Sequence, residues 1–170
     1  MRVTPTLVAD EREWVRERDA VVALINATRD QLGAAFDTDV ATVDGRQYRR
    51  AVDEVFADGD LAVNVAALVR ILRDLDVEGD YPGFVVDELL GRELAGTIAG
   101  NQPLRLLGEA TFHYADVHTH PEGERGDGNG NGTGDPAGLD DLDAALAAGF
   151  QTRLPGWEWR EGESPFAVER

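Results

Sequence analysis

Cysteine is absent from the 170 residues. That excludes disulfides, zinc–thiolate sites, iron–sulfur clusters and thiol catalysis, and it leaves the redox compartment open. Lysine is absent too, so every cation is an arginine. Serine is nearly absent, and Ser164 has no base beside it, which argues against a serine triad. No apolar run approaches the length of a membrane-crossing helix. The first residues, Met1-Arg2-Val3-Thr4-Pro5-Thr6, lack the apolar core of a secretion signal. A cytoplasmic protein is the resulting expectation. The phosphate-binding loop, the Gly-x-Gly-x-x-Gly turn, the His-Glu-x-x-His pair and the Gly-x-Ser-x-Gly elbow are all missing. No Glu-x-x-His pairs occur on two helices, so a ferritin-like di-iron centre has no support.

What is abundant is negative charge. Asp and Glu number 33 against 16 cations, for a net charge of −17. Such a surface repels nucleic-acid phosphates and anionic membranes, and neither is expected as a partner. The composition resembles that of proteins from salt-loving archaea, rich in Asp and Glu and poor in Lys. At molar salt the Debye length shrinks to about 3 Å, so self-repulsion is screened while hydrated carboxylates keep the protein in solution. The competing reading is an acidic face for a basic partner. The acids are spread along the chain, which favours the first reading.

Apolar residues recur mainly at helical spacing. Asp10 with Glu13 reads as a capping box opening a helix to about Phe36, with Val21, Ile25, Thr28, Leu32 and Ala35 on one stripe. After a turn over 37–45, a second helix turns Tyr48, Val52 and Val55 inward. Ala57-Asp58-Gly59-Asp60 is a stop-and-recap signal before a third helix carrying Leu61, Val65, Leu68, Leu72 and Leu75. A fourth helix spans about Phe84 to Ala99, with Gly100 suited to a left-handed cap. Its interior Gly91 and Gly96 mark either tight helix crossings or a break. A fifth helix starts near Pro103 with Leu104, Leu107, Thr111 and Tyr114 inward, and a short one covers about Leu139 to Ala148. The expectation is an all-α, single compact bundle of five to six helices with a Gly-rich loop and an aromatic C-terminal tail. Residues 1–122 form the bundle and 123–138 a Gly/Asp/Asn-rich flexible loop. Residues 139–170 form a short helix and a tail whose Trp157, Trp159 and Phe166 dock on it.

All three histidines fall in one run, Phe112-His113-Tyr114-Ala115-Asp116-Val117-His118-Thr119-His120-Pro121. Histidine titrates near neutrality unaided and is the commonest metal ligand. Read as a helix, the run puts Glu109, His113, Asp116 and His120 on one face at steps of four, three and four. That stripe suits a divalent transition metal, although Pro121 disfavours helical geometry at His120. Read as a strand, it aligns Asp116, His118 and His120 instead. The fragment His118-Thr119-His120-Pro121 resembles the His-x-His-Pro core of JAMM metalloproteases, and membership would imply metal-dependent hydrolysis. The resemblance covers four residues. The family's following Ser and spaced Asp are not matched in Glu122 to Asn131, so without a sheet it carries nothing.

Asp127 to Asp135 fits the first nine positions of an EF-hand loop, but position 12 is Gly138 where a bidentate Glu belongs. A low-complexity linker is therefore preferred to calcium at 127–135. Arg49-Arg50 and Arg70 with Arg73 are read as surface ion pairs. No certain cofactor emerges. The functional expectation is a non-catalytic binding, adaptor or assembly protein with a protein partner or self-association. The alternative is a metal-dependent hydrolase built on 109–120, with Glu109 or Glu122 as general base.

Overall fold

Seven α-helices organise the described residues (1–75, 86–119 and 137–157 of a computed structural model), and no strand occurs among them. They are α1 (Pro5–Arg16), α2 (Asp19–Phe36), α3 (Gly45–Ala57), α4 (Gly59–Asp74), α5 (Val86–Ala99), α6 (Leu104–Thr119) and α7 (Ala137–Gln151). Five to six helices were expected, and the extra one comes from the first segment. Thr4 caps α1, its Oγ1 accepting from the Leu7 N–H at 3.2 Å, and Pro5 fills the first turn. Asp10 and Glu13 therefore lie inside a helix and do not open one. The break falls at Glu17–Arg18, where Arg18 leaves helical backbone angles. Its guanidinium stacks on Trp14, 4.7 Å from the ring centre, and its Nε donates to Asp143 on α7 at 3.0 Å.

The remaining boundaries follow local chemistry. Asp37, at φ 51, ends α2 in the left-handed region, and the Thr38 N–H donates back to the Gly33 carbonyl at 2.9 Å. The working capping box is Asp44 with Gln47. The Asp44 carboxylate accepts from the N–H groups of Arg46 and Gln47, and Gln47 returns a bond to the Asp44 N–H. The Gln47 bond is the strongest influence on the Asp44 carboxyl and helps hold it below the ordinary carboxylate range. Asp58 recaps the chain into α4 as its sequence context foretold, and Gly100, at φ 102, closes α5.

The core forms around α7, which packs against α2, α3, α4, α5 and α6. Leu142, Ala144 to Ala148 and Phe150 are all buried, and the apolar run from Ala144 to Phe150 belongs in the centre. Small residues bring α5 and α6 onto it. A methyl added at Gly91 would lie 2.7 Å from Cζ of Phe112, and one at Gly96 2.8 Å from Oε1 of Glu109. Both glycines are thus crossing points. Phe112 is fully enclosed, and burying a side chain of that size contributes roughly 1.5–3 kcal/mol.

Two apolar faces are not where periodicity placed them. On α2 the stripe is buried at Val21, Ile25 and Thr28, but Leu32 is only half-buried and Ala35 is exposed. On α6, from Leu104 to Asp116, the buried residues are Gly108, Thr111, Phe112 and Ala115. Leu107 is 37% exposed and Leu104 and Tyr114 are half-buried. The rotation follows from packing, since the small residues of α6 must face α5 and α7. Most of the glycine-rich segment, the calcium-like run 127–135 and the tail beyond Trp157 lie outside the described residues.

Candidate functional site

Glu109, His113 and Asp116 of the expected histidine–carboxylate stripe sit on α6, which remains helical through Thr119. The strand register joining Asp116 to His118 is therefore not formed. With no strand among the described residues, the metalloprotease resemblance loses its scaffold as well. Glu109 faces α5 over Gly96 and pairs with Arg105, Oε1 to Nε at 2.9 Å, while Arg105 also reaches Glu93 at 2.6 Å. His113 is exposed. Asp116 is half-buried and turns toward α7. The side chain of His118, and His120 altogether, lie outside the described residues. Among the described residues no group of three histidines or acids is arranged to hold a metal ion.

Asp116 instead joins a carboxyl cluster that the sequence reading did not anticipate. Asp87 in the first turn of α5, Asp116 near the end of α6 and Asp141 in α7 converge. Burial pushes the Asp141 carboxyl up to about 9, and hydrogen bonds with Asp116 and Asp87 add to the shift. Asp141 accordingly keeps its proton at neutral pH. A signal for it was present: Asp141 shares a helix face with Ala145 and Ala148, both buried, so a carboxyl occupies an apolar stripe.

The two displaced apolar faces meet each other elsewhere. Leu32, Ala35 and Phe36 of α2 face Leu107, Ala110 and Tyr114 of α6 across a groove of about 540 Å³. Thr38, Asp39, Val40 and Trp157 complete its walls, and buried Thr111 is part of its lining. Phe36 is 73% exposed at the mouth. The Trp157 wall is fixed from behind. Its Nε1 donates to the Gln151 carbonyl at 3.2 Å, and its ring lies against the Arg29 guanidinium, 5.5 Å from the ring centre. Arg29 is itself fully buried and donates to the carbonyls of Ala41, Gln151, Leu154 and Pro155. It thus ties α2, the 38–44 connection and the end of α7 into one frame. Thr111 Oγ1 accepts from Gln151 Nε2 at 3.1 Å below the groove.

A wider cleft of about 1150 Å³ lies between α4 and the α5–α6 connection, lined by Asn64, Thr97, Gln102, Arg105 and Arg153 among others. Its two cations are engaged, Arg105 by Glu93 and Glu109 and Arg153 by the Ile98 carbonyl. The groove is the more selective feature, because its lining is predominantly apolar and its geometry is held from beneath.

No curated protein and no solved structure matches the chain. A family model does match it, over residues 1–170, and the chain belongs to that family, a domain of unknown function designated DUF7984.

Proposed function

We propose that the protein is a non-catalytic binding module, an adaptor or assembly subunit, that receives apolar side chains of a protein partner in the α2–α6 groove. One observation carries the reading. Leu32 and Ala35 of one helical stripe and Leu107 and Tyr114 of another, whose periodicity calls for burial, face each other across the groove half-buried or exposed, with exposed Phe36 and Ala110 beside them. Grooves between helices are common sites for a partner's amphipathic helix. The frame around Arg29 and Trp157 holds the groove ready, which lowers the ordering cost of binding. A photo-crosslinking residue at position 36, tested in the source cells, should capture a discrete partner that the same residue at exposed Val63 does not. Equal labelling at both positions would remove the reading.

High-salt adaptation in a cytoplasmic setting accompanies this proposal, supported by the acidic, lysine-free composition. Circular dichroism through a KCl titration checks it, with loss of helix in dilute buffer as the expected result.

The alternative is a divalent-metal hydrolase built on Glu109, His113, Asp116 and His120, and the support for it is the helical face that carries Glu109, His113 and Asp116 on α6. Titration calorimetry with zinc, nickel and manganese separates the two. Binding that disappears in a His113→Ala/His118→Ala/His120→Ala variant favours the metal reading, and identical traces favour the binding module.

A further inference from the structure

Resting on the groove-binding reading above, we infer that the groove's occupant is a basic amphipathic helix from a different protein. A second hollow adjoins the apolar groove. The two share Thr38, Asp39 and Val40 as lining, and the second, about 400 Å³, is lined by Asp30 and Asp37 as well. An apolar trough thus ends in three carboxylates. Arg29 also lines the hollow, its guanidinium donating to backbone carbonyls, so one buried cation stands against three acids.

The end of α2 adds to this field. Its C-terminal carbonyls carry the negative end of the helix dipole beside Asp37, and its last turn contains no basic residue. A cation from outside is what this corner complements. From Leu107 to Tyr114 the groove extends about 10 Å at 1.5 Å per residue, close to two helical turns. An entering helix would place apolar anchors at i, i+3 or i+4, and i+7 along it, followed by Arg or Lys over Asp37 and Asp39.

The same charges disfavour the other occupants. A second copy carries half as many cations as acids and so offers few contacts of opposite sign to an acidic corner. The chain's own residues 158–170 carry Glu158, Glu161, Glu163 and Glu169 against Arg160 and Arg170. An isolated small apolar ligand fits poorly, because Phe36 leaves the mouth open where such sites enclose most of their ligand.

The test uses the full chain and three labelled helical peptides with one common Leu/Phe face. Their opposite faces carry Lys and Arg, or Gln, or Glu. Fluorescence anisotropy is read at the lowest KCl concentration at which circular dichroism shows the helical fold. The basic peptide should bind at least tenfold tighter than the acidic one. Asp37→Asn/Asp39→Asn should erase that preference, while Phe36→Ser should weaken all three and Val63→Ser none. Phe36 and Val63 are exposed, so neither substitution threatens folding. If the three peptides bind alike and Phe36→Ser still weakens them, the charge inference falls while the groove reading survives. If none binds, both fall. A dimer in light scattering that Phe36→Ser dissolves would make a second copy the occupant. A tenfold gain in affinity in Trp159→Ser/Phe166→Ser would make it the chain's own tail. Either result overturns the inference.

Discussion

Glu11 and Asp141 are two acids withdrawn from water, and the fold accommodates them in opposite ways. Glu11 on α1 is fully buried but meets two guanidinium groups of α4, Arg73 at 2.6 Å and Arg70 at 3.4 Å. Arg73 also lies over Trp14, 4.4 Å from the ring centre, which keeps it in position. Asp141 on α7 meets carboxyl groups, Asp116 and Asp87, and answers by keeping its proton. With twice as many acids as cations, this chain buries a carboxylate beside arginines at Glu11 and half-buries a carboxylic acid beside its own kind at Asp141. The first arrangement locks α1 to α4 through charge. The second locks α5, α6 and α7 through a shared proton, which makes that junction sensitive to pH.

The largest expected effect comes from breaking the paired arrangement. Arg73→Met leaves Glu11 with only the longer Arg70 contact, and stripping a partner from a buried charge costs about 3 kcal/mol. Urea denaturation should show the loss, and a midpoint unchanged from wild type would mean that the pair contributes nothing.

Next in size is an attack on the junction itself. Gly91→Ala would set a methyl 2.7 Å from the enclosed Phe112 ring and 3.4 Å from the Asp141 carbonyl. Overpacking of this kind costs about 2 kcal/mol, and here it would also force α5 away from α7. Thermal unfolding tests the first effect. Loss of the Asp141 proton at a lower pH, followed by carboxyl NMR, tests the second.

The most diagnostic effect belongs to pH. The folded-state pKa of Asp141 is about 9 against an ordinary 3.8, so the folded chain holds a proton that the unfolded chain releases. Its contribution is intact below about pH 4 and is lost as pH rises toward 9. Asp141→Asn should flatten the fall in melting temperature between pH 5 and 9. A variant with the wild-type slope would show that another group controls it.

The smallest effect provides the control of opposite sign. Asp44 is held below the ordinary carboxylate value by its capping bonds, so its contribution is present above that value and lost as pH falls through the lowered one. Asp44→Ala should hasten amide exchange at Arg46 and Gln47, whose N–H groups it caps, and should leave the slope above pH 5 unchanged.

Much of the architecture was legible because its causes are local. Asp58 recapping into α4, the end of α2 at Phe36 and the left-handed Gly100 each depend on a few neighbouring residues. The inward set Tyr48, Val52 and Val55 was legible for the same reason, because the period of one helix fixes one face. The false start at Asp10 shows the limit. A capping box is only a pattern of side chains, and Thr4-Pro5 outcompeted it upstream. The break at Arg18 had no glycine or proline to announce it, and its ties to Trp14 and Asp143 span the fold.

The site divides along the same line. Glu109, His113 and Asp116 were found as a helical face, but their partners were not: Arg105 takes one, solvent another, and Asp141 the third. The groove was hidden for a related reason. Periodicity shows that Leu107 and Leu32 lie on apolar stripes, but it does not say which apolar stripe the core has room for.

By itself the sequence determined the all-helical class, the caps and turns at Asp37, Asp58 and Gly100, and the acidic, lysine-free, cysteine-free chemistry of the chain. Those properties reside in single residues and their near neighbours. Tertiary structure alone decided that α7 is central, that Gly91 and Gly96 are crossings, that Asp141 keeps a proton, and that two apolar faces remain open beside Asp37 and Asp39. Each of these depends on which surfaces compete for the same interior. Such competition is settled only when helices distant in sequence are brought into contact.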